Sequence, residues 1–235
     1  MKQAIFSLNI GNHPRYKPTL QSVYDYSKKI GVDFHLSTEF VVKAYNFYFE
    51  KLQAFSLFSE GYDQVLYIDA DVLITPHAKN IFEKYSDPSV FYAYHENADS
   101  EAMNRDEHIE PLLPFCPDWP KEENNKYRYF NAGIMLFGRE CFQQHMQGLN
   151  EPPSVQKMWE FGDQTFLNFL LSKNKVPFES FDQSFNRMNF GNPDPEGERF
   201  KANFIHYAGP CLYGNGDKDQ VMKEDYEFLY GKDKD

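Results

Sequence analysis

The sequence predicts an α/β fold, with a mixed, mostly parallel central sheet and helices on its faces. Three observations carry that reading. Short apolar runs of strand length recur along the first part of the chain. Segments with helical spacing alternate with them. Each run stops at a polar turn, a glycine or a proline.

The elements follow in order. Gln3-Ala4-Ile5-Phe6-Ser7-Leu8 reads as a buried first strand that runs into a polar turn from Asn9 to Pro14. Residues 19–30 have helical spacing, with Leu20, Val23, Tyr24 and Ser27 on related faces. Residues 32–36 form a second strand. Residues 46–59 form a helix with Phe49, Leu52, Phe55, Leu57 and Phe58 as its apolar set, and Gly61 stops it. Gln64-Val65-Leu66-Tyr67-Ile68 is a third strand that ends on an acidic pair. Val72-Leu73-Ile74 continues as a short extended piece up to Pro76.

Residues 90–94 are a further strand. Residues 97–127 are rich in Asp, Glu, Asn and Pro and have little periodicity, which suits a functional lid or a disordered insertion; Leu112, Leu113, Phe115 and Trp119 give it something to pack and favour the lid. A loop into a strand at 129–137, a mostly helical stretch at 153–174, strand and loop at 178–186, and a strand at 202–207 complete the chain. The tail from Gly216 to Asp235 mixes Lys and Asp and is expected to be a solvated polar segment.

The chain has 235 residues and no Ser/Gly-rich or Pro-rich linker, so a single Rossmann-like domain is expected over 1–215, with 97–128 as a substrate-facing loop or lid and 216–235 as the tail. Net charge is −11, which announces no nucleic-acid groove, and nucleic acid is not expected as a partner. The aromatic fraction of 17% is read as a Phe-rich core. Cys116, Cys141 and Cys211 are widely spaced, so free thiols in a reducing compartment are expected. No signal-peptide pattern and no apolar run of about 18 residues is present, so no membrane span and a cytoplasmic location are expected.

In open α/β sheets, ligands bind outside the carboxyl ends of the strands. The loop after the first strand and the acidic pair Asp69 and Asp71 both belong there. Two carboxylates flanking a small Ala70 can face one site, where they would repel each other and raise their own pKa values. A divalent cation removes that conflict and bridges to phosphate oxygens. A solvated acidic turn is the competing reading.

Four segments in order carry a resemblance: Leu66-Tyr67-Ile68-Asp69-Ala70-Asp71, Tyr129-Phe130-Asn131-Ala132-Gly133-Ile134-Met135-Leu136, Gly162-Asp163-Gln164-Thr165-Phe166-Leu167-Asn168, and His206-Tyr207-Ala208-Gly209. Together they resemble the motifs of glycosyltransferase family 8, the glycogenin-like and lipopolysaccharide-galactosyltransferase-like retaining enzymes of GT-A fold.

The resemblance implies Asp69, Asp71 and His206 as ligands to manganese, with magnesium as the alternative. It implies Asn131 on the donor sugar, with small Ala132 and Gly133 letting substrate approach the backbone. It implies Asp163 on sugar hydroxyls and Gln164 at the reacting face. It implies Leu8, Asn9 and Asn12 around the nucleotide, Tyr16 stacked on uracil, and Lys51 reaching the donor.

An N-cap role for Asp163, a turn role for Asn131 and an exposed position for Lys51 are the ordinary alternatives. The family often continues past Gly209 to a diphosphate-binding Lys before Pro-Trp. Here Lys218, or backbone amides around Gly214 and Gly216, would take its place. Asn186 in Phe185-Asn186 is read as support for the site.

The expected activity is transfer of a hexose from a UDP-sugar, UDP-glucose or UDP-galactose, to a glycan or other hydroxyl acceptor, with retention. A homodimer is compatible with the sequence. A nucleotidyltransferase and an inactive nucleotide-sugar-binding protein are the alternatives; the glycine-poor loop Asn9 to Arg15 disfavours the first, and the intact acidic and histidine set disfavours the second.

Overall fold

The structure is a computed structural model that describes residues 1–42, 47–96, 105–122, 125–146, 162–188, 194, 197–209 and 217–231. Its strands are β1 (Gln3–Leu8), β2 (Asp33–Ser37), β3 (Gln64–Ile68), β4 (Val72–Ile74), β5 (Phe91–His95), β6 (Phe130–Gly138), β7 (Phe178–Ser180) and β8 (Phe204–His206). Its α-helices are α1 (Lys17–Ile30), α2 (Ile81–Lys84), α3 (Asp106–Ile109), α4 (Arg139–His145), α5 (Asp163–Lys173) and α6 (Lys218–Tyr230).

Six strands form one sheet in the order β2-β1-β3-β6-β5-β7, and β4 pairs with β8 in a second, two-stranded sheet. In the large sheet only β6 runs against its neighbours, so the mixed, mostly parallel expectation holds. Every position of β3 and β6 is buried, as both sheet faces are covered. Ile5, Leu66 and Leu136 point to one face, where Val23, Tyr26 and Phe204 pack on them. Ala4, Val65, Tyr67 and Met135 point to the other, against Phe49, Leu52 and Phe166. This alternation is the period of two of a pleated strand.

Helix α1 carries Pro18 in its first turn and ends on Gly31, whose φ of 72° lets the chain turn directly into β2. The segment Phe47–Phe58 is a 3-10 helix rather than the α-helix its apolar content suggested. The reason is visible in its spacing. Phe49, Leu52, Phe55 and Phe58 recur every third residue, which makes one straight stripe only when residues i and i+3 eclipse. All four are buried.

Two expectations need correction. The tail is not simply solvated. Residues Lys218–Tyr230 form α6, which buries Val221 and Met222 beside Leu73, Ile205 and Tyr207. Arg199 locks it in place. Its guanidinium makes two 2.8 Å bonds to Asp225 on α6 and one to Asp194, while the Tyr207 hydroxyl donates to Asp225 at 2.7 Å. Charge-rich composition hid a helix with one buried stripe.

Within 97–127, residues 105–122 and 125–127 are described. There Ile109, Leu112, Cys116 and Trp119 pack around Tyr129, but Phe115 is exposed. Of the helix expected over 153–174, residues 153–161 lie outside the described residues, and so do Gly214, Gly216 and Cys211.

Gly138, at the end of β6, offers a sharp test of packing. A Cβ there would lie 1.8 Å from the Pro88 carbonyl oxygen, a backbone atom that cannot rotate away. Gly138→Ala is expected to cost about 3 kcal/mol of stability, the upper range of overpacking. Thermal or urea unfolding measures this, and a loss below about 1 kcal/mol would contradict the packing.

Candidate active site at the carboxyl edge of the sheet

Strands β1, β3 and β5 point their carboxyl ends to the same edge, and antiparallel β6 begins there. The turn after β3 is held from several sides. The Asp69 amide donates to the Gly133 carbonyl at 2.7 Å, and the Thr19 hydroxyl donates to the Ala70 carbonyl at 2.6 Å. The Tyr207 amide donates to the Asp71 carbonyl at 3.0 Å. Pairing of Val72 with His206 in the small sheet carries the imidazole to the acidic pair.

One ligand atom from each of Asp69, Asp71 and His206 lies within 4.8 Å of the other two. Lys218 Nζ sits 2.7 Å from Asp71 Oδ2. On the far side, Lys51 Nζ makes a 2.6 Å ion pair with Asp163 Oδ2 and lies 3.9 Å from Asp69 Oδ1. It also donates to the Ala132 carbonyl at 3.1 Å. The Lys51 side chain is only 6% exposed, so the exposed-helix alternative is set aside.

Asp163 opens α5, but the turn is capped from Gly162 without a side-chain bond, and the carboxylate goes to Lys51 instead. Gln164 Oε1 accepts from the Ala132 amide at 3.0 Å. The Tyr67 hydroxyl donates to Asp69 Oδ1.

The two carboxylates are pushed in opposite directions. Burial raises Asp69; Lys51 opposes this and the Asp71 charge adds to it, so the net shift is upward. Burial alone would also raise Asp71, but the contacts of His206 and Lys218 outweigh it and hold Asp71 below the usual carboxylate range. Burial would lower Lys51, yet Asp163 and Asp69 raise it instead.

The residues fit a divalent cation on three counts. Asp71 Oδ1 is buried without a hydrogen-bond partner. His206 Nε2 faces it at 3.5 Å, too long for a sound hydrogen bond. A Cβ on Gly133 would sit 2.3 Å from His206 Cε1 and 2.9 Å from Asp69 Oδ2, so the space among the three ligands exists only because residue 133 is glycine. Two carboxylate oxygens and an imidazole are a donor set that a divalent cation accepts.

A cleft of about 900 Å³ joins these groups. Leu8, Asn9, Tyr16, Ala70, Gly209 and Lys218 line it. Asn131, Gly133, Asp163 and Gln164 line it as well. Asn9 is tied to the loop, accepting from the His13 amide at 2.9 Å and donating to its carbonyl at 3.2 Å. Tyr16 is half-buried under the Arg15 guanidinium, 4.6 Å from its ring; burial and the Asp71 charge raise its hydroxyl. Asn12 is exposed on the turn at a φ of 53°, a conformation asparagine tolerates, and does not line the cleft. Ala132 contributes only backbone groups, to Lys51 and Gln164.

Arg15, Phe40, Phe47, Tyr48, Glu96 and Arg105 also line the cleft and were not singled out from the sequence. Two of them carried a usable signal. Glu96 immediately follows β5, at the same strand edge as the acidic pair. Tyr48 precedes Lys51 by three residues, one turn of a 3-10 helix.

A sheet of this order, with Asp69, Asp71 and His206 clustered beside a cleft at its carboxyl edge, is a fold of the GT-A class. The chain belongs to glycosyl transferase family 8, whose model matches residues 25–211. Solved structures agree in fold. A glycosyltransferase involved in glycosylation of the major capsid of the virus PBCV-1 superposes with a TM-score of 0.57 at 16% identity, covering 95% of this chain and all of the other. The galactosyltransferase LgtC, bound to donor and acceptor sugar analogues, gives 0.54 at 16% identity, with 97% and 96% covered. Mouse xyloside xylosyltransferase 1 gives 0.55 at 15% identity, with 90% and 98% covered. No curated protein matches the chain by sequence. No helix among the described residues is long and apolar enough to cross a membrane.

Proposed function

We propose that this glycosyltransferase moves a hexose from a UDP-sugar to a hydroxyl group of a glycan or similar acceptor, with retention of the anomeric configuration. The observation that carries the reading is the facing pair of acceptors, Asp71 Oδ1 and His206 Nε2, with Asp69 beside them. Asp69, Asp71 and His206 would hold manganese or magnesium. Bound there, the cation supplies positive charge to the diphosphate leaving group.

The chain's own residues account for the rest. Tyr16, with Leu8 and Asn9, offers a wall for the uridine. Lys218 can give its ammonium to the diphosphate once the Asp71 charge is shared with the cation. Its place on α6 supports it as the substitute for the family's missing lysine, since α6 is anchored through Arg199.

In the transfer, the bond from anomeric carbon to phosphate oxygen breaks. A bond to the acceptor oxygen forms on the same face, and the acceptor proton passes to the departing diphosphate. Gln164 is neutral and Asp163 is committed to Lys51 at 2.6 Å, so neither is a ready nucleophile. That favours front-face transfer over a double displacement, with Asp163 and Gln164 orienting the sugar.

The test is a screen of UDP-sugars with manganese, reading free UDP and the anomer of the product by NMR. UDP release with one hexose donor, suppressed by EDTA, is expected. Pyrophosphate release from a nucleoside triphosphate without UDP release would instead support a nucleotidyltransferase. Tight donor binding without turnover on any acceptor would support an inactive binder.

A further inference from the structure

The candidate metal ligand His206 is the end of a buried hydrogen-bond chain whose polarity can be read from one fixed donor. The Gly133 amide can only donate, and it points at Asn131 Oδ1 at 3.0 Å. This settles the orientation of the Asn131 amide. Its Nδ2 donates to Glu96 Oε1 at 2.8 Å and faces Gln164 Oε1 at 3.4 Å. Its Oδ1 also accepts from Asn186 Nδ2 at 3.1 Å. Asn186 Oδ1 is therefore left to accept, and its partner at 2.9 Å is His206 Nδ1. That nitrogen must carry the proton. In the neutral imidazole Nε2 then holds a lone pair, aimed at Asp71 Oδ1.

All four residues are nearly sealed from solvent, with Glu96 at 2%, Asn131 at 5%, Asn186 at 0% and His206 at 3% exposure. The far end is held as firmly. Arg105 Nε donates to Glu96 Oε2 at 2.7 Å, which leaves Oε1 for Asn131. The two donors and two acceptor positions of Asn131 are all in use, so its amide has no spare group for a sugar.

We infer that Asn131 and Asn186 are positioning residues that hold His206 as a ligand through Nε2, with Glu96 as the anchor of the chain. This differs from the direct sugar contact that the resemblance implied for Asn131. It also joins the Glu96 and Gln164 wall of the cleft to the cation site through one continuous set of bonds. The inference rests on the metal reading proposed above for Asp69, Asp71 and His206.

Two measurements test it. The first is the ¹⁵N imidazole NMR spectrum of the metal-free chain, with the His206 signals assigned by their loss in His206→Ala. A protonated Nδ1 and an unprotonated Nε2 are expected for the neutral ring; the opposite tautomer overturns the chain.

The second is manganese affinity by calorimetry for wild type and Asn186→Leu, a change of similar size that removes both amide contacts. A 10- to 100-fold weaker Kd is expected, roughly the usual cost of losing such a support, together with loss of the single tautomer. Affinity within twofold of wild type overturns the positioning role. A wild-type chain that binds no manganese overturns the metal reading, while the tautomer still reports whether the chain of bonds exists.

Discussion

Asp71→Ala is expected to lower metal-dependent UDP release by about a thousandfold or more. A loss of that size corresponds to about 4 kcal/mol at the transition state, within what a cation supplies to a leaving phosphate. The variant removes one carboxylate ligand and the partner of Lys218 together. Its fold should persist, because the Tyr207 amide bonds the main-chain carbonyl of residue 71, which alanine keeps.

A modest stability change accompanies the loss, and its sign follows from the downward shift of Asp71. A carboxylate lowered in the folded state stabilises above its unfolded pKa. That contribution is lost as pH falls through the folded value. Asp71→Ala is thus less stable than wild type at neutral pH, and the gap closes in acid. Steady-state kinetics with manganese, alongside thermal melts at neutral and acid pH, measure both effects. Full activity would remove Asp71 from the metal site.

Lys51→Ala is expected to damage folding as well as turnover. The ammonium is enclosed and faces Asp163 at 2.6 Å, with the Asp163 side chain itself 9% exposed. Removing one partner of a buried pair leaves the other charge uncompensated, at a cost of roughly 3–5 kcal/mol. Asp69, already raised by burial, also loses the lysine charge that opposed that shift. For a chain of this size, each kcal/mol lowers the melting temperature by about 2–4 °C. The fall should therefore exceed about 6 °C.

The double variant Lys51→Met with Asp163→Asn separates the two effects. It should recover most of the stability, since neither charge remains buried alone, yet stay inactive because both groups face the cleft. Wild-type melting of Lys51→Ala would show that solvent reaches the pair. Activity in the double variant would show that neither side chain handles the donor.

The first half of the fold could be read by pattern because its signals are local. Residues 4–7 and Gln64–Ile68 are buried on both faces, so their short, largely apolar runs mark them as strands. The acidic pair could be placed because it directly follows such a strand. The Phe47–Phe58 segment was harder. Its threefold stripe was present, but the choice between α and 3-10 geometry depends on fitting Phe49, Leu52, Phe55 and Phe58 against the sheet. Helix α6 was missed for a related reason. Its exposed face is charged, and the value of Val221 and Met222 appears only when Ile205 and Tyr207 lie beneath them.

Sequence alone determined the α/β class, the strand-end position of Asp69 and Asp71, and the ordered segments that mark the family. These depend on residue type and spacing along short stretches. Tertiary structure decided which distant groups meet. Pairing of β4 with β8 brings His206 to Asp71, and the Arg199 lock brings Lys218 to the same carboxylate. It also pairs Asp163 with Lys51 rather than leaving it as a helix cap, and it sets Asn131 among the bonds behind His206. Hydrogen bonds and ion pairs act over about 3 Å. Asn186 and His206 lie 20 positions apart in the chain, and Asp71 and Lys218 lie 147 apart, so only the folded arrangement selects such partners.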